Sequence, residues 1–230
     1  MYKRQAVPFL VLIIRRRVPN GFGGRLFGLL ILGGLQGVIG WWMVKSGLTA
    51  DATVSQYRLA VHLGMALLIL ALLLWTAFDI RHGRAMMPRG HAAGTLGLVM
   101  ATILAGALVA GMDAGLLYNQ YPLMGDRLVP VEYGDEGLFD AFENPASAQF
   151  HHRWIAALAV LAVITLALRG RRYPASRAPA TLALVLVLVQ FVLGIAVLLH
   201  GVPVSLGAMH QTGAVLLLAS LVWTIHRMPR

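Results

Sequence analysis

Six long apolar stretches dominate the pattern of hydrophobic and polar positions along the chain. Each has roughly 20 residues, which as a helix crosses the ~30 Å hydrocarbon core of a bilayer. A seventh apolar stretch, 6–14, is too short to cross alone. The pattern predicts an all-α, polytopic membrane protein, with full spans at 27–45, 56–78, 92–112, 150–168, 179–200 and 205–226.

The polar loops between these stretches alternate in charge. By the positive-inside rule, the side that receives the arginines is cytoplasmic. The opposite, outer side receives the acidic segment 113–148. His62, His152 and His210 are then expected near the outer ends of their helices. The arginines are Arg15, Arg16, Arg17, Arg25, Arg81, Arg84, Arg89, Arg169, Arg171, Arg172, Arg177, Arg227 and Arg230.

Composition supports the membrane interpretation and excludes several kinds of chemistry. The chain is 58% apolar and 12% charged, with no cysteine. It therefore has no disulfide, thiolate metal site, cysteine nucleophile or covalent c-type heme. The net charge of +10 lies in short loops. A nucleic-acid-binding protein gathers its charge on one face, so we expect a lipid bilayer and no nucleic acid as partner.

An internal repeat organises the six spans. Gln36-x-x-x-Gly40 matches Gln190-x-x-x-Gly194 at an offset of 154 residues, and the next helix carries His62 in one copy and His210 in the other. Both copies run in the same direction, which predicts two tandem four-helix bundles related by a pseudo-twofold axis along the membrane normal. Residues 91–230 form the complete bundle, and residues 1–80 form an incomplete one with a helix stub and two spans.

The same offset places the counterpart of His152 before Met1. We therefore expect that the chain is truncated at its N-terminus, inside a helix that carries a further histidine. A short N-terminal anchor is the alternative.

His152 and His210 are the candidate metal ligands of the second bundle. An ionisable side chain inside the membrane is a functional hypothesis by default. Two histidines at one depth on different helices suit axial ligation of a heme iron. The small residues Ala156, Gly207 and Gly213 would leave room for the macrocycle. The alternative is a histidine satisfied by an interhelical hydrogen bond.

Several other polar residues have two interpretations. Adjacent residues point about 100° apart on a helix, so only one of His151 and His152 faces the bundle. Gln36 and Gln190 indicate either an interhelical hydrogen bond or a helix close to a macrocycle. The cations that could neutralise heme propionates, or extend to the headgroups, are Arg153, Arg58 and Lys45.

The remaining histidines are expected outside the metal sites. His200 ends its helix and could donate a hydrogen bond to a propionate or a loop carbonyl. We interpret His82, His91 and His226 as solvated residues of the cytoplasmic side.

Five segments in order resemble the heme A synthase family over about residues 6–228. The resemblance implies an enzyme that oxidises the C8 methyl of heme O to the formyl group of heme A for cytochrome c oxidase. The arginine after His152 matches the family pattern, which favours His152 over His151. The segments are LQGVIGWWMVKSG (35–47), YRLAVHLG (57–64), GMDAGLLYNQYPLM (111–124), QFHHR (149–153) and HQTGA (210–214).

The resemblance also implies the ligands. His152 and His210 would hold the iron of a heme b cofactor, and His62 would bind the iron of heme O or heme A at the substrate site. The family's second helix supplies a glutamate and a further histidine to that site. This chain has neither, so as given it is expected to be inactive. It resembles the cysteine-free branch.

Location and partners follow from the same resemblance. It implies a bacterial plasma (inner) membrane, with the heme sites toward the outer face. A heme O-producing farnesyltransferase and oxidase assembly factors are expected partners, and a homo-oligomer is left open. The alternative functions are a di-heme b-type electron-transfer cytochrome and a transporter that uses the histidines as a proton path.

Overall fold

The computed structural model describes residues 3–46 and 54–229 of the chain. Within these ranges, six helices are long and apolar enough to cross a membrane, which confirms the predicted all-α, polytopic fold. The helices are α1 (Lys3–Ile14), α2 (Gly23–Ser46), α3 (Gln56–His82), α4 (Gly90–Gly111), α5 (Asp140–Glu143), α6 (Pro145–Gly170), α7 (Pro174–Leu199) and α8 (Val204–Arg227).

Most long helices extend beyond the apolar stretch that predicted them, and at α6 a capping residue sets the start. Helix α6 begins at Pro145, five residues before the predicted span. Asn144 caps it, since its side-chain oxygen accepts from the amides of Ala146 and Ser147, and proline is well suited to the first helical turn.

The helices pack into one continuous bundle. Helices α4, α6, α7 and α8 pack in sequence order, and α8 returns to contact α4. Helix α3 contacts α2, α4 and α8, so it joins the first two spans to the rest. The buried core lies among α3, α4, α6, α7 and α8, with Trp75, Val99, Val163 and Leu221 at its centre. The predicted division into two bundles, residues 1–80 and 91–230, stays a prediction.

The outer segment, which is residues 112–144 between α4 and α6 and is predicted to lie on the outer side, is hydrogen-bonded to α6 and α7. The backbone carbonyl of Tyr118 accepts from the Gln149 side chain at 3.2 Å and from Arg153 at 2.9 Å. The Asn119 amide donates to the carbonyl of Leu198, near the end of α7, at 3.0 Å. The Tyr118 hydroxyl also donates to Glu132, and this bond lowers the pKa of the Glu132 carboxyl. The segment is therefore ordered at the outer ends of α6 and α7.

A buried polar cluster joins α2, α3 and α8 at the opposite end. The Asp79 carboxylate is 3% exposed and accepts from the Arg25 guanidinium. Its Oδ1 lies 2.9 Å from the Ala85 amide and 2.9 Å from Nε2 of His226. The rings of Trp75 and His226 pack edge to face at 5.1 Å.

This cluster corrects one prediction. His226 was expected to be solvated, but it is 6% exposed. The interpretation was wrong because Asp79 supplies a hydrogen-bond acceptor inside the bundle, which the local sequence around His226 does not reveal. His82 and His91 are exposed, as predicted.

Candidate functional site

The His210 ring is held by two residues of α7 that lie one helical turn apart. The Gln190 side-chain nitrogen lies 3.0 Å from Nδ1 of His210 and donates to the His210 backbone carbonyl at 2.6 Å. Gly194 lies against the ring, since a Cβ built there would be 2.8 Å from Cε1. The Gln-x-x-x-Gly spacing therefore places an amide and a gap on one helix face, and the imidazole occupies the gap.

His62 is held in the same way in the first half of the chain. The Gln36 side-chain nitrogen lies 3.2 Å from Nδ1 of His62 and donates to the His62 carbonyl at 3.1 Å. A Cβ on Gly40 would be 2.9 Å from Cε1 of the ring. The repeat found in the sequence thus extends to individual side-chain contacts, and the interhelical hydrogen bond expected of each glutamine is made to a candidate ligand.

His152 has a different partner with similar geometry. Its Nδ1 lies 3.1 Å from the backbone carbonyl of Thr102 on α4. Gly106, one turn further along α4, lies against the ring, with a built Cβ 3.0 Å from Cε1. Neither Thr102 nor Gly106 was predicted from the sequence. Every residue has a backbone carbonyl, so the sequence does not show which one accepts a hydrogen bond. A glycine within an apolar helix, such as Gly106, is the one signal that could have indicated a close contact with a histidine.

The two adjacent histidines of α6 point in different directions. Nε2 of His151 lies 3.4 Å from the Tyr133 hydroxyl, and its ring packs against Phe150 and Tyr133 of the outer segment. The His152 ring instead faces α4, where it lies against Gly106. The orientation agrees with the choice of His152, and its ligand role stays a prediction.

The candidate propionate cations have partners within the protein. Arg153 donates to the carbonyls of Tyr118 and Leu123, at 2.9 and 3.2 Å. Arg58 donates to the Trp42 carbonyl at 2.9 Å, and its guanidinium lies 4.7 Å from the centre of that ring.

The other two outer-end residues also contact their own helices. The Lys45 amine lies 5.2 Å from the centre of the Trp41 ring. Nδ1 of His200 lies 2.8 Å from the Ala196 carbonyl. The proposed roles of these residues toward propionates stay predictions.

The donor set fits a heme iron better than a free metal ion. Within 3–46 and 54–229, no three His, Asp or Glu side chains come together as a metal cluster. Instead, His152 and His210 lie on two helices that contact each other, α6 and α8, and axial heme ligation can use one imidazole from each of two helices. A Cβ on Gly207 would meet open space, whereas at Gly213 it would lie 2.3 Å from the Gln190 carbonyl oxygen. Gly213 therefore makes room for the glutamine rather than for a macrocycle.

Comparison with known proteins shows the family of this chain. Residues 5–222 match the COX15-CtaA family model, described as cytochrome oxidase assembly protein. The chain belongs to this family. It is 47% identical to the heme A synthase of Maricaulis maris and 41% identical to that of Caulobacter vibrioides, in each case over 96% of this chain and 68% of the relative. It is also 45% identical to the heme A synthase of Granulibacter bethesdensis, over 96% of this chain and 61% of the relative.

These relatives confirm the resemblance inferred from the five sequence segments. No solved structure matches the chain significantly. The arrangement of the histidines described above therefore comes from this structure alone.

Proposed function

We propose that this protein acts as a heme A synthase, an oxidoreductase that oxidises the C8 methyl group of heme O to the formyl group of heme A. The main structural support is a duplicated arrangement: a glutamine and a glycine hold His62 in the first half of the chain, and another such pair holds His210 in the second half. A chain related to heme A synthases thus holds one candidate iron ligand in the same way in each half.

In the second half, His152 and His210 would hold the iron of heme b. The chain's own contribution is to orient two imidazoles from α6 and α8, through the Thr102 carbonyl and the Gln190 amide. When bound, this cofactor would supply one-electron transfer, which side-chain acids and bases cannot provide alone. The aliphatic neighbours exclude water and lower the local dielectric constant.

In the first half, His62 would bind the iron of the substrate, heme O. Gln36 and Gly40 hold the His62 ring at the seam between α2 and α3. The outer position of this seam would leave propionates near Arg58 and Lys45, which lie toward the same ends of these helices. Both cations are already held by tryptophans, so they are oriented without a ligand.

The proposed setting is the bacterial plasma membrane, with both heme sites toward its outer face. The distribution of arginines and acidic residues supports this orientation. A farnesyltransferase that makes heme O and assembly factors of cytochrome oxidase are the proposed partners, since they would supply the substrate and use the product.

Extraction of hemes from membranes tests the proposed reaction. We expect heme A to appear when a version of the protein that also carries the family's second helix, with its glutamate and histidine, is expressed in a host that makes heme O but lacks its own heme A synthase. Unchanged heme O with no heme A would reject the reaction. A di-heme electron-transfer cytochrome would give that result while keeping its heme spectrum, although the names of the relatives favour the synthase.

A second experiment tests the ligands separately from the reaction. The His210→Ala variant should lose the low-spin heme spectrum of the second half, because one of two axial imidazoles is gone. His91→Ala, which changes an exposed histidine at the start of α4, is the control and should keep the spectrum. An unaltered spectrum in His210→Ala would contradict the ligand assignment.

A further inference from the structure

The two glutamines that hold the candidate ligands have a fixed amide orientation. Each side-chain nitrogen lies 3.1 Å or less from the backbone carbonyl of its histidine. A carbonyl oxygen can only accept a hydrogen bond, so the group facing it must be the NH₂ of the amide. The same NH₂ lies at Nδ1 of the ring, at 3.2 Å for His62 and 3.0 Å for His210. At His62 it also lies 3.5 Å from Nε2, whereas at His210 it contacts Nδ1 alone of the two ring nitrogens.

This orientation determines where the ring proton lies. A neutral imidazole has one N–H and one lone pair. If Nδ1 accepts from the glutamine, its lone pair is used, and the ring proton must be on Nε2. Nε2 is the nitrogen of His210 that the glutamine leaves free for iron, and iron needs a lone pair there. As held in the structure, His210 therefore presents the wrong tautomer.

His152 shows the opposite arrangement. Its Nδ1 faces the carbonyl of Thr102, which can only accept, so the ring proton of neutral His152 is on Nδ1. Nε2 then has a lone pair available for iron. This is the usual arrangement of a metal-binding histidine, whose second nitrogen donates to a carbonyl or carboxylate. One ligand of the pair is thus ready to bind, and the other is not.

The glutamines also have an unused acceptor. The side-chain oxygens of Gln36 and Gln190 are buried and accept no hydrogen bond from the part of the chain that the structure describes. A buried polar atom without a partner is costly, so it calls for an explanation. Gly213 leaves the space in which the Gln190 oxygen lies, since a Cβ there would be 2.3 Å from it.

We propose that Gln190 is a positioning residue that selects the iron-binding nitrogen of His210. In the iron-free ring the NH₂ donates to Nδ1, and on iron binding the amide turns so that its oxygen accepts a hydrogen bond from Nδ1–H. One proton leaves Nε2 and one is gained at Nδ1, so the charge of the ring does not change. The turn gives up the bond to the histidine carbonyl and satisfies the unused oxygen.

The inference rests on the proposed function, because it requires heme at His210. The wild-type protein is therefore measured first. A wild-type protein without a low-spin, doubly histidine-ligated heme would overturn the proposed function. If the wild-type protein has this heme, the variants below test the glutamine alone.

The test is the reduction midpoint potential of the second-half heme in two variants of the full chain. Glu in place of Gln190 can accept from Nδ1 but does not donate as an amide does. A stronger acceptor makes the ligand more basic and favours ferric iron, so Gln190→Glu should shift the potential downward. Gln190→Met has a similar length and no acceptor oxygen, so it should shift the potential upward and weaken heme binding by about 10–100-fold.

Opposite signs of the two shifts distinguish this role from simple packing. Two shifts in the same direction, or none, would overturn the inference. If the Met variant cannot be purified, the Glu variant decides, and an unchanged or raised potential overturns the inference. Gln149→Met is the matched control, because Gln149 is also buried with an unused side-chain oxygen but donates to the Tyr118 carbonyl. Its potential should equal that of the wild-type protein.

Discussion

At the scale of single residues, three close contacts between a glycine and an imidazole define the candidate sites. Gly40, Gly106 and Gly194 each lie against the Cε1 edge of a histidine on a neighbouring helix. The ring fills the space that a side chain would need. Each histidine is thus placed by the absence of a Cβ as well as by a hydrogen bond.

Gly194→Ala tests this role of the glycines. The added Cβ would be 2.8 Å from Cε1 of His210, which is too close, and Gln190 prevents the ring from moving freely. We expect a loss of stability of about 1–3 kcal/mol from overpacking, measured by thermal unfolding in detergent, together with lower heme content.

Gly97→Ala is the control for this substitution. A Cβ there meets no atom within 4 Å. Alanine is a better helix former than glycine, so stability should rise by about 0.5–1 kcal/mol. Equal effects of the two substitutions would show that the contact with His210 does not matter.

The sequence predicted the rings but not all their partners. His62, His152, His210 and both glutamines stand out because polar residues are rare in apolar helices. The Thr102 carbonyl and Asp79 did not stand out, since their roles depend on which helices cross and at what height. Periodicity describes one helix, whereas these contacts belong to pairs of helices.

At the scale of the elements, Asp79 ties together α2, α3 and the end of α8. It is the single acidic residue of the sequence outside the segments 46–55 and 113–148. An acidic residue among the arginines of the predicted cytoplasmic side could therefore have indicated an ion pair. Burial of a carboxylate is costly unless hydrogen bonds compensate. Here Arg25, His226 and the Ala85 amide provide them.

Asp79→Ala should destabilise the bundle. The change leaves Nε2 of His226 without its buried partner, whereas Arg25 is 41% exposed and can turn to solvent. We expect a loss of about 2–3 kcal/mol, toward the low end for a broken buried pair. Thermal unfolding measures it, with Asp126→Ala in the exposed outer segment as the control. A loss below about 0.5 kcal/mol, typical of surface changes, would contradict a stabilising role for the cluster.

The outer segment depends on Arg153, the neighbour of a candidate ligand. Arg153→Met removes the donors to the Tyr118 and Leu123 carbonyls. We expect backbone amide exchange in 113–124 to become about tenfold faster, equivalent to the loss of about 1.4 kcal/mol. Arg127→Met, an exposed change in the same segment, should leave exchange there unchanged. Equal exchange in both variants would mean that Arg153 does not hold the segment.

At the scale of the whole molecule, the number and order of the spans were predictable, but their packing was not. Apolar length alone identified α2, α3, α4, α6, α7 and α8, because hydrocarbon thickness sets a minimum helix length. The direct contact between α3 and α8, which carry His62 and His210, could not be read from either helix. It depends on how the two copies of the repeat face each other.

The orientation in the membrane can be tested without altering a native thiol, because the chain has no cysteine. Single cysteines at Asp126 and Arg171 provide one reporter in each kind of loop, and both positions are exposed. A membrane-impermeant maleimide applied to intact spheroplasts should label Asp126→Cys and leave Arg171→Cys unlabelled until the membrane is opened. The reverse pattern would contradict the positive-inside assignment.

The bond between His152 and the Thr102 carbonyl has a consequence for mutational tolerance. Because the main chain supplies the acceptor, most amino acids at position 102 would provide the same oxygen, provided that α4 kept its path. The glutamine partners of His62 and His210 have no such freedom, since their contribution is a side-chain amide. Saturation mutagenesis should therefore find that position 102 tolerates many amino acids, whereas Gln36 and Gln190 tolerate few.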